Sequence, residues 1–530
     1  MKRKQAVLVL VSLLAAVFCL GGCKNKSQGA ESSAGNADAG NSFAEKIELS
    51  LAYWGIGEVF DDPNAKNDTL YNALSQKFNV TIKPVQVTWN DYDQKNLIWA
   101  ASGQLPDFFV GSAPDGLYNT WATQGVIKPL PGDLSKFPNI QAVMAQPTVK
   151  PLAIDGKFYK FPRMTYKSHE DWVNDRILVY RKDWLKQAGY DHQPRNFEEF
   201  VEMSKKVMIQ HPGAVGISIH TMGHLASFIM LGIYPEGGHS AVWVKEDGLW
   251  KPNYAARGYA QGVAQLRTLY KEGILDPDFP LLQVEEGTAK YMNGKAFGVF
   301  VNNINLATYK ETWKAANPGI TWEEAIGIMD TWPAPDGNRY YFAETPYWSE
   351  TMFNGTLSDK KMERALYLLD YMYSDEYLIP AVNGLEGVDF RFDNGVIVSL
   401  LPAGESMAKK YPITNEIRSL STWSGWLYYE GKTSISPDPD LAYKDRLFIE
   451  NFNHQKATAR PIPVNYDIRL MNTPARNALD FDLNEDMVQV IMGNQDPIAM
   501  WQEVIKGYES RGLTGAINEV NARAKELGIQ

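Results

Sequence analysis

Short runs rich in β-branched and aromatic residues recur along this chain, with helix-length stretches between them. They are Ile47–Tyr53 (IELSLAY), Val80–Val85 (VTIKPV), Asp107–Val110 (DFFV), Phe158–Pro162, Arg176–Tyr180 (RILVY), Phe297–Val301 (FGVFV) and Ile326–Met329. Runs of this length and composition read as buried strands. The intervening stretches carry helical spacing instead. Leu70, Leu74 and Phe78 fall four residues apart, and Met362, Leu366, Leu369 and Tyr373 form one stripe behind Ser358. Asn196 and Glu199 are placed like a cap and its third helical residue, and a helix is expected from about Ala255 to Glu272, stopped by Gly273. Strand, helix, strand in this order predicts an α/β fold with short βα units. At 530 residues the chain exceeds what one core usually serves, so more than one lobe is expected.

The first residues stand apart from that pattern. Lys2, Arg3 and Lys4 precede an apolar run from Ala6 to Leu20, which is short for a membrane span but fits a signal sequence. Residues 1–22 are therefore expected to be removed on export. The only cysteines, Cys19 and Cys23, lie here, so the mature chain has no disulfide framework. Residues 23–45 are dominated by Ser, Gly, Ala and Asn and read as a flexible tether of roughly 25 Å mean span. A net charge of −10 without a Lys/Arg-rich block argues against a nucleic-acid partner.

Three segments carry a resemblance to a known family: Gly103-Gln104-Leu105-Pro106-Asp107, the strand and helix start from Asn174 to Leu185 (NDRILVYRKDWL), and Gly384 to Phe390 (GLEGVDF). With Leu20-Gly21-Gly22-Cys23, which resembles a lipobox, the chain from about residue 46 onward is similar to family 1 of the extracellular solute-binding proteins. Within it, the chain looks most like the large LipO-like lipoproteins of Gram-positive bacteria. The resemblance implies a two-lobed fold of the type II, maltose-binding-protein-like kind, with hinge crossings between lobes. It also implies a lipid anchor on Cys23 at the outer face of the cytoplasmic membrane, and a monomer that hands an oligosaccharide or modified sugar to ABC permease subunits. Crossings are expected near Arg163–Asn174, near Asp330–Trp332 and between Phe390 and Pro402. Lobe 1 is then 46–168 with 332–395, and lobe 2 is 169–331 with 396–530. A peptide or other polar solute is the nearest alternative ligand, and a secreted glycoside hydrolase or an adhesin the alternative classes.

No catalytic motif survives inspection. His169-Glu170 lacks the second His of a zincin, since Val173 holds that place, and Gly216-Ile217-Ser218-Ile219-His220 lacks the second Gly of a nucleophile elbow. Gly287 to Lys295 has the wrong spacing for a P-loop and is followed by Ala296. Asp480 to Asp486 begins like a calcium loop but lacks its Gly, and Ile491 stands where the bidentate Glu belongs. Neither an enzyme nor a resident cofactor or metal is expected.

A sugar offers hydroxyls to planar polar groups and C–H faces to aromatic rings, and the chain carries 15 Trp and 27 Tyr. Positions just after strands are the candidates for ligand contact. They are Trp54 after the first strand, Asp115 after DFFV, Arg163 and Trp172 at the first crossing, and Asn302 and Asn303 after FGVFV. Beyond the second crossing follow Trp348, Glu386 and Asp389, then Trp423 and Trp426 near the C-terminal side of the cleft.

Overall fold

The computed structural model describes residues 43–111, 115–228, 242–283, 285–301, 306–402 and 405–529. Cys23, Asn302 and Asn303 lie outside them, as does the side chain of Asp115. Lys46–Gln530 forms one compact unit. Its strands in chain order are β1 Ile47–Trp54, β2 Val80–Val87, β3 Phe108–Gly111, β4 Lys160–Met164, β5 Ile177–Arg181, β6 Val215–Ile219, β7 Trp243–Glu246 and β8 Leu249–Pro252. There follow β9 Ala296–Val301, β10 Ile326–Ile328, β11 Tyr340–Tyr341, β12 Tyr347–Phe353, β13 Phe390–Asp393, β14 Val396–Ser399 and β15 Arg460–Pro461.

Two larger sheets organise these strands. The first has the order β2-β1-β3-β12-β4, with β1 parallel to β2 and β3, and β12 antiparallel to both β3 and β4. The second has the order β10-β5-β9-β6, with β6 and β9 parallel and the other pairs antiparallel. Each sheet contains βα units closed by helices, and the helix signals in the sequence act as read. Ser358 accepts the Lys361 N–H at the start of Asp359–Met372, and Asn196 accepts the Glu199 N–H at the start of Phe197–Gln210. The Glu199 carboxylate reaches Arg195, by backbone and guanidinium, rather than Asn196. Asp482 of the calcium-like segment caps Leu483–Met492, accepting from Glu485 at 2.9 Å.

The second sheet is covered on both faces, as its near-continuous apolar strands require. Successive β5 residues point to opposite sides. Ile177 and Val179 enter a core with Trp313 and Trp322, while Leu178 and Tyr180 enter another with Phe200, Leu266 and Trp332. The first sheet carries Leu49, Leu51, Phe108, Phe109, Phe161 and Phe353, all essentially without solvent exposure.

The chain passes from β4 to β5 through residues 165–176 and returns from β10 to β12 through residues 329–346. The final passage sits later than Phe390–Pro402. That stretch is a hairpin, β13–β14, whose Asn394 and Gly395 both adopt positive φ (50° and 84°), the conformation of a two-residue type I′ turn. Helix Pro412–Ile417 still packs on first-sheet helices Ile56–Asp61 and Thr69–Phe78, whereas helix Pro439–Thr458 packs on β10. The passage back to the second sheet thus occupies residues 418–438, and Pro412–Ile417 packs with the first sheet rather than the second.

Buried amides tie the passages together. Asn174 Nδ2 donates to the Phe448 carbonyl (2.8 Å) and to the Tyr429 hydroxyl (2.9 Å), and Asn174 Oδ1 accepts from Asn451 (2.6 Å). An aromatic cluster of Tyr166, Trp172 and Phe342 packs beside this network.

Candidate functional site

Trp54 ends β1, and Gly55 follows it at φ +76°. That left-handed conformation favours glycine, and a Cβ there would lie 2.9 Å from the Glu416 carboxylate, which would have to shift. The parallel β1, β2 and β3 bring their C-terminal ends to one edge of the first sheet, where ligands of open α/β sheets bind. The β12 strand runs the other way, so its N-terminal residues reach the same edge.

Four tryptophans meet there. Trp54 stacks on Trp89 (ring centroids 4.4 Å apart), lies 5.6 Å from Trp348 in an edge-on arrangement, and is near-parallel to Trp423 at 6.1 Å. Trp348 is also 5.6 Å from Trp89 and 6.0 Å from Trp423, and Tyr92 sits edge-on to Trp54 at 5.3 Å. Trp54 is buried as the floor of the cluster, while Trp89 is 53% and Trp348 39% exposed. The cluster is thus a continuous apolar platform, wet on one side. The Trp423 indole N–H is buried and has no hydrogen-bond partner among the described residues. A buried donor left in that state costs about 1–3 kcal/mol, so it is a group for which a ligand hydroxyl is a fitting partner.

Backbone irregularities set the rings. The β12–β4 register slips between Tyr347 and Glu350, and within this bulge Ser349 adopts φ +111°. A bulge re-aims its side chains, and here Trp348 faces outward while Ser349 turns in. Residues 422–425 run beside the end of β4, with the Trp423 N–H on the Met164 carbonyl (2.8 Å) and the Gly425 N–H on the Thr165 carbonyl (2.7 Å). Ser424, next to Trp423, is at φ +48°.

Arg163 lies fully buried behind the platform. Its guanidinium carbon is 4.7 Å from the Trp423 ring centroid, 5.0 Å from Trp54 and 5.2 Å from Tyr53. It donates to the Ser349 hydroxyl (2.6 Å), to the Tyr53 hydroxyl (3.3 Å) and twice to the Ser419 carbonyl. Burial pushes its pKa down, while Tyr53, Glu350 and Glu416 act to keep it charged. A cation over three ring faces is itself attractive. Arg163 therefore holds the rings of three distant chain segments in register and presents no donor to solvent. Glu416, also beside this edge, is raised above the usual carboxylate range, by burial first and then by Glu58, against the pull of Arg418 and Arg163.

The expected residues thus divide. Trp54, Arg163, Trp348 and Trp423 come together. Trp172 does not join them: it is buried at the passages, donates its indole N–H to the Thr345 carbonyl (3.1 Å) and packs on Tyr166 (5.0 Å). Asp389 is a brace, buried and accepting from the Leu385 N–H (2.8 Å), the Tyr411 hydroxyl (2.7 Å) and Lys410. Burial opposes its charge, yet these donors hold its pKa below the ordinary value. Glu386 is exposed in the turn that Asp389 closes. Trp426 is buried against Tyr373 at 5.7 Å. Asp115 opens helix Asp115–Thr123. Trp89 and Tyr92 are the members that sequence reading missed. They follow the end of β2 at the edge where Trp54 ends β1, and ending β2 at Val85 instead of Val87 conceals the parallel.

Among the described residues, no group of three or more His, Cys, Asp or Glu could hold a metal ion, and no helix is long and apolar enough to cross a membrane.

A family model described as bacterial extracellular solute-binding protein matches residues 69–387. Lipoprotein LipO of Bacillus subtilis (strain 168) is 23% identical over 359 residues, 66% of this chain and 68% of LipO. The polygalacturonan/rhamnogalacturonan-binding protein YtcQ of the same organism is 22% identical over 407 residues, 74% of this chain and 75% of YtcQ. Among solved structures, the alginate-binding protein AlgQ2 without calcium ion matches with TM-score 0.66 at 18% identity, covering 91% of this chain and 98% of that one. The S. pneumoniae ABC-transporter substrate-binding protein FusA in complex with kestose also gives 0.66 at 18%, covering 91% and 99%. These likenesses show the fold, the two-lobed type II binding-protein architecture expected from the sequence.

Proposed function

Because the chain belongs to the bacterial extracellular solute-binding proteins, we propose that it captures an oligosaccharide or modified sugar for an ABC importer, with the tryptophan platform as its principal contact surface. The observation that carries this reading is the meeting of Trp54, Trp89, Trp348 and Trp423 at one sheet edge, two of them substantially exposed. Flat rings at fixed angles suit the C–H faces of pyranose or furanose rings, and the Trp423 indole N–H, without a partner among the described residues, suits a hydroxyl. The relative named for polygalacturonan and rhamnogalacturonan, and the structural neighbours named for alginate or complexed with kestose, support a carbohydrate over a peptide. The protein binds and releases its ligand unchanged, and hydrolysis of ATP belongs to other subunits.

Lipidation on Cys23 and a site outside the cytoplasmic membrane complete the proposal, supported by Leu20-Gly21-Gly22-Cys23 and by the likeness to a named lipoprotein. Lobe closure about the three passages is the motion that would let a permease tell loaded from empty protein.

The test is a thermal-shift screen of the Lys46–Gln530 domain against neutral and acidic oligosaccharides, followed by calorimetry and product analysis. A ligand at one hundred times its Kd stabilises by about 2.7 kcal/mol, an easily read shift. Cleavage of the bound sugar would refute the reading, as would an affinity unaltered by Trp54→Ala and Trp348→Ala together.

A further inference from the structure

Backbone strain marks the platform, and the same mark occurs once elsewhere. Of the described non-glycine residues at positive φ, four are Asn or Asp, which tolerate that region. The other three are Ser349, beside Trp348; Ser424, beside Trp423; and Glu285, at φ +75°. Strained residues persist where the surrounding structure overdetermines them, and they gather at ligand clamps.

Glu285 lies at the second sheet. The parallel strands β6 and β9 end together, and His220, the residue after β6, donates its backbone N–H to the Phe300 carbonyl (3.1 Å). The chain enters β5 at that same edge, since Ile177 pairs with Val301. It leaves the first sheet from Met164, which pairs with Tyr347 at the platform edge. The passage of residues 165–176 therefore runs from the platform edge of one sheet to the β6–β9 edge of the other.

Several polar groups converge at this second edge. The imidazoles of His220 and His224 are both buried and stack at 5.4 Å. His220 Nδ1 lies 3.2 Å from the Thr288 hydroxyl, and the Glu285 carboxylate accepts from the Tyr309 hydroxyl at 2.8 Å. The contact is close-built: a Cβ on Gly287 would meet the Ile219 carbonyl at 1.9 Å, so only glycine lets the Glu285–Gly287 segment lie against the end of β6. Glu285 and Arg176 are the charged groups facing His220, with opposite effects on it, and burial keeps the ring on the neutral side of its ordinary range.

We propose that His220, His224, Glu285 and Tyr309 form the polar half of the ligand site, taking vicinal hydroxyls of a neutral sugar ring whose apolar face lies on the tryptophan platform. This rests on the carbohydrate-binding reading above. Two imidazoles, a carboxylate and a phenol together offer donors and acceptors to a diol, and the Glu285 charge disfavours a uronate at this end.

The test uses the Lys46–Gln530 domain and four probes: kestose, mannopentaose, trigalacturonate and an alginate trisaccharide. The part of the tryptophan fluorescence change that Trp89→Ala removes reports the platform, and the His220 and His224 ring signals in proton NMR, assigned with the single variants His220→Gln and His224→Gln, report the second edge. The expected result is that a neutral probe which changes the fluorescence also shifts both imidazole signals. His220→Gln and Tyr309→Phe should each weaken that probe at least tenfold, and urea midpoints separate this loss from loss of folding. A fluorescence response with unmoved imidazoles and unchanged variant affinities overturns this proposal while leaving the platform reading intact. Preference for an acidic probe with His220→Gln silent also overturns it. If no probe changes the fluorescence, the carbohydrate reading fails and this one with it.

Discussion

Trp89→Ala separates binding from folding more cleanly than any other substitution at the platform. A Trp side chain buries about 150–250 Å² when covered, and Trp89 is 53% exposed. Roughly 80–130 Å² is therefore open to a ligand. A sugar ring covering one face takes about half of that, and at about 25 cal/mol per Å² this amounts to about 1–1.6 kcal/mol, roughly five- to fifteenfold in Kd. The folding cost has a different source. Trp89 loses its stacked contact with Trp54 at 4.4 Å and its contact with Trp348 at 5.6 Å. Together with the covered part of the ring this comes to about 3 kcal/mol. Calorimetry with the glycan found by screening reads the first quantity, and urea unfolding reads the second. An unchanged Kd, with the stability loss present, would show that the wet face of Trp89 is not where a ligand lies.

Trp172→Ala should reverse that balance, costing about 3–5 kcal/mol of stability with less than threefold change in Kd, since the ring is buried between the passages; equal losses in both would place it in the site. Arg163→Met leaves Ser349 Oγ, Tyr53 Oη and the Ser419 carbonyl without their donor. It should cost about 3 kcal/mol and alter the near-ultraviolet circular dichroism of the stacked indoles; an unaltered spectrum would contradict the positioning role. Asp389→Asn should lower the urea midpoint and flatten its acid dependence. A carboxylate held below its ordinary pKa contributes stability above the unfolded value, about 3.9, and loses it as pH falls through the depressed folded value. His220 is also depressed, by burial first, so its contribution is complete above about pH 6.5 and declines as pH falls through its lower folded value. His220→Gln should remove that part of the slope between pH 7 and 5, and an identical slope in the variant would refute the assignment.

The α/β architecture was legible because its signals are local. Each apolar run from Ile47 to Ile328 read as a strand became one within two or three residues, and Ser358 and Asn196 cap as their types suggest. The last passage lies beyond the expected Phe390–Pro402, where Asn394-Gly395 is a hairpin signal that the order of elements alone does not register. In the site, aromatic residues at or just past the ends of parallel strands are findable by rule, which gives Trp54 and, with a correct end to β2, Trp89. Trp172 and Trp426 could not be told from them, since whether an indole faces a cleft or a passage depends on packing partners far along the chain, such as Phe342 and Tyr373. Asp389 misled for a related reason: a carboxylate in a Gly-rich turn looks available until Lys410 and Tyr411 fold over it.

The insertion of β12 between β3 and β4 sets a schedule on the growing chain. β4 has no strand partner in its sheet until β12 arrives, and 182 residues separate Met164 from Tyr347. At synthesis rates of about 5–20 residues per second, the ribosome takes roughly 10–40 s to cover that distance. During this interval two strand edges of the first sheet stand open, and open edges recruit other chains. The platform matures still later, when residue 423 docks beside β4. A chain of this topology has reason to stay unfolded until its synthesis is nearly complete, which is also the state in which a polypeptide passes through an export channel.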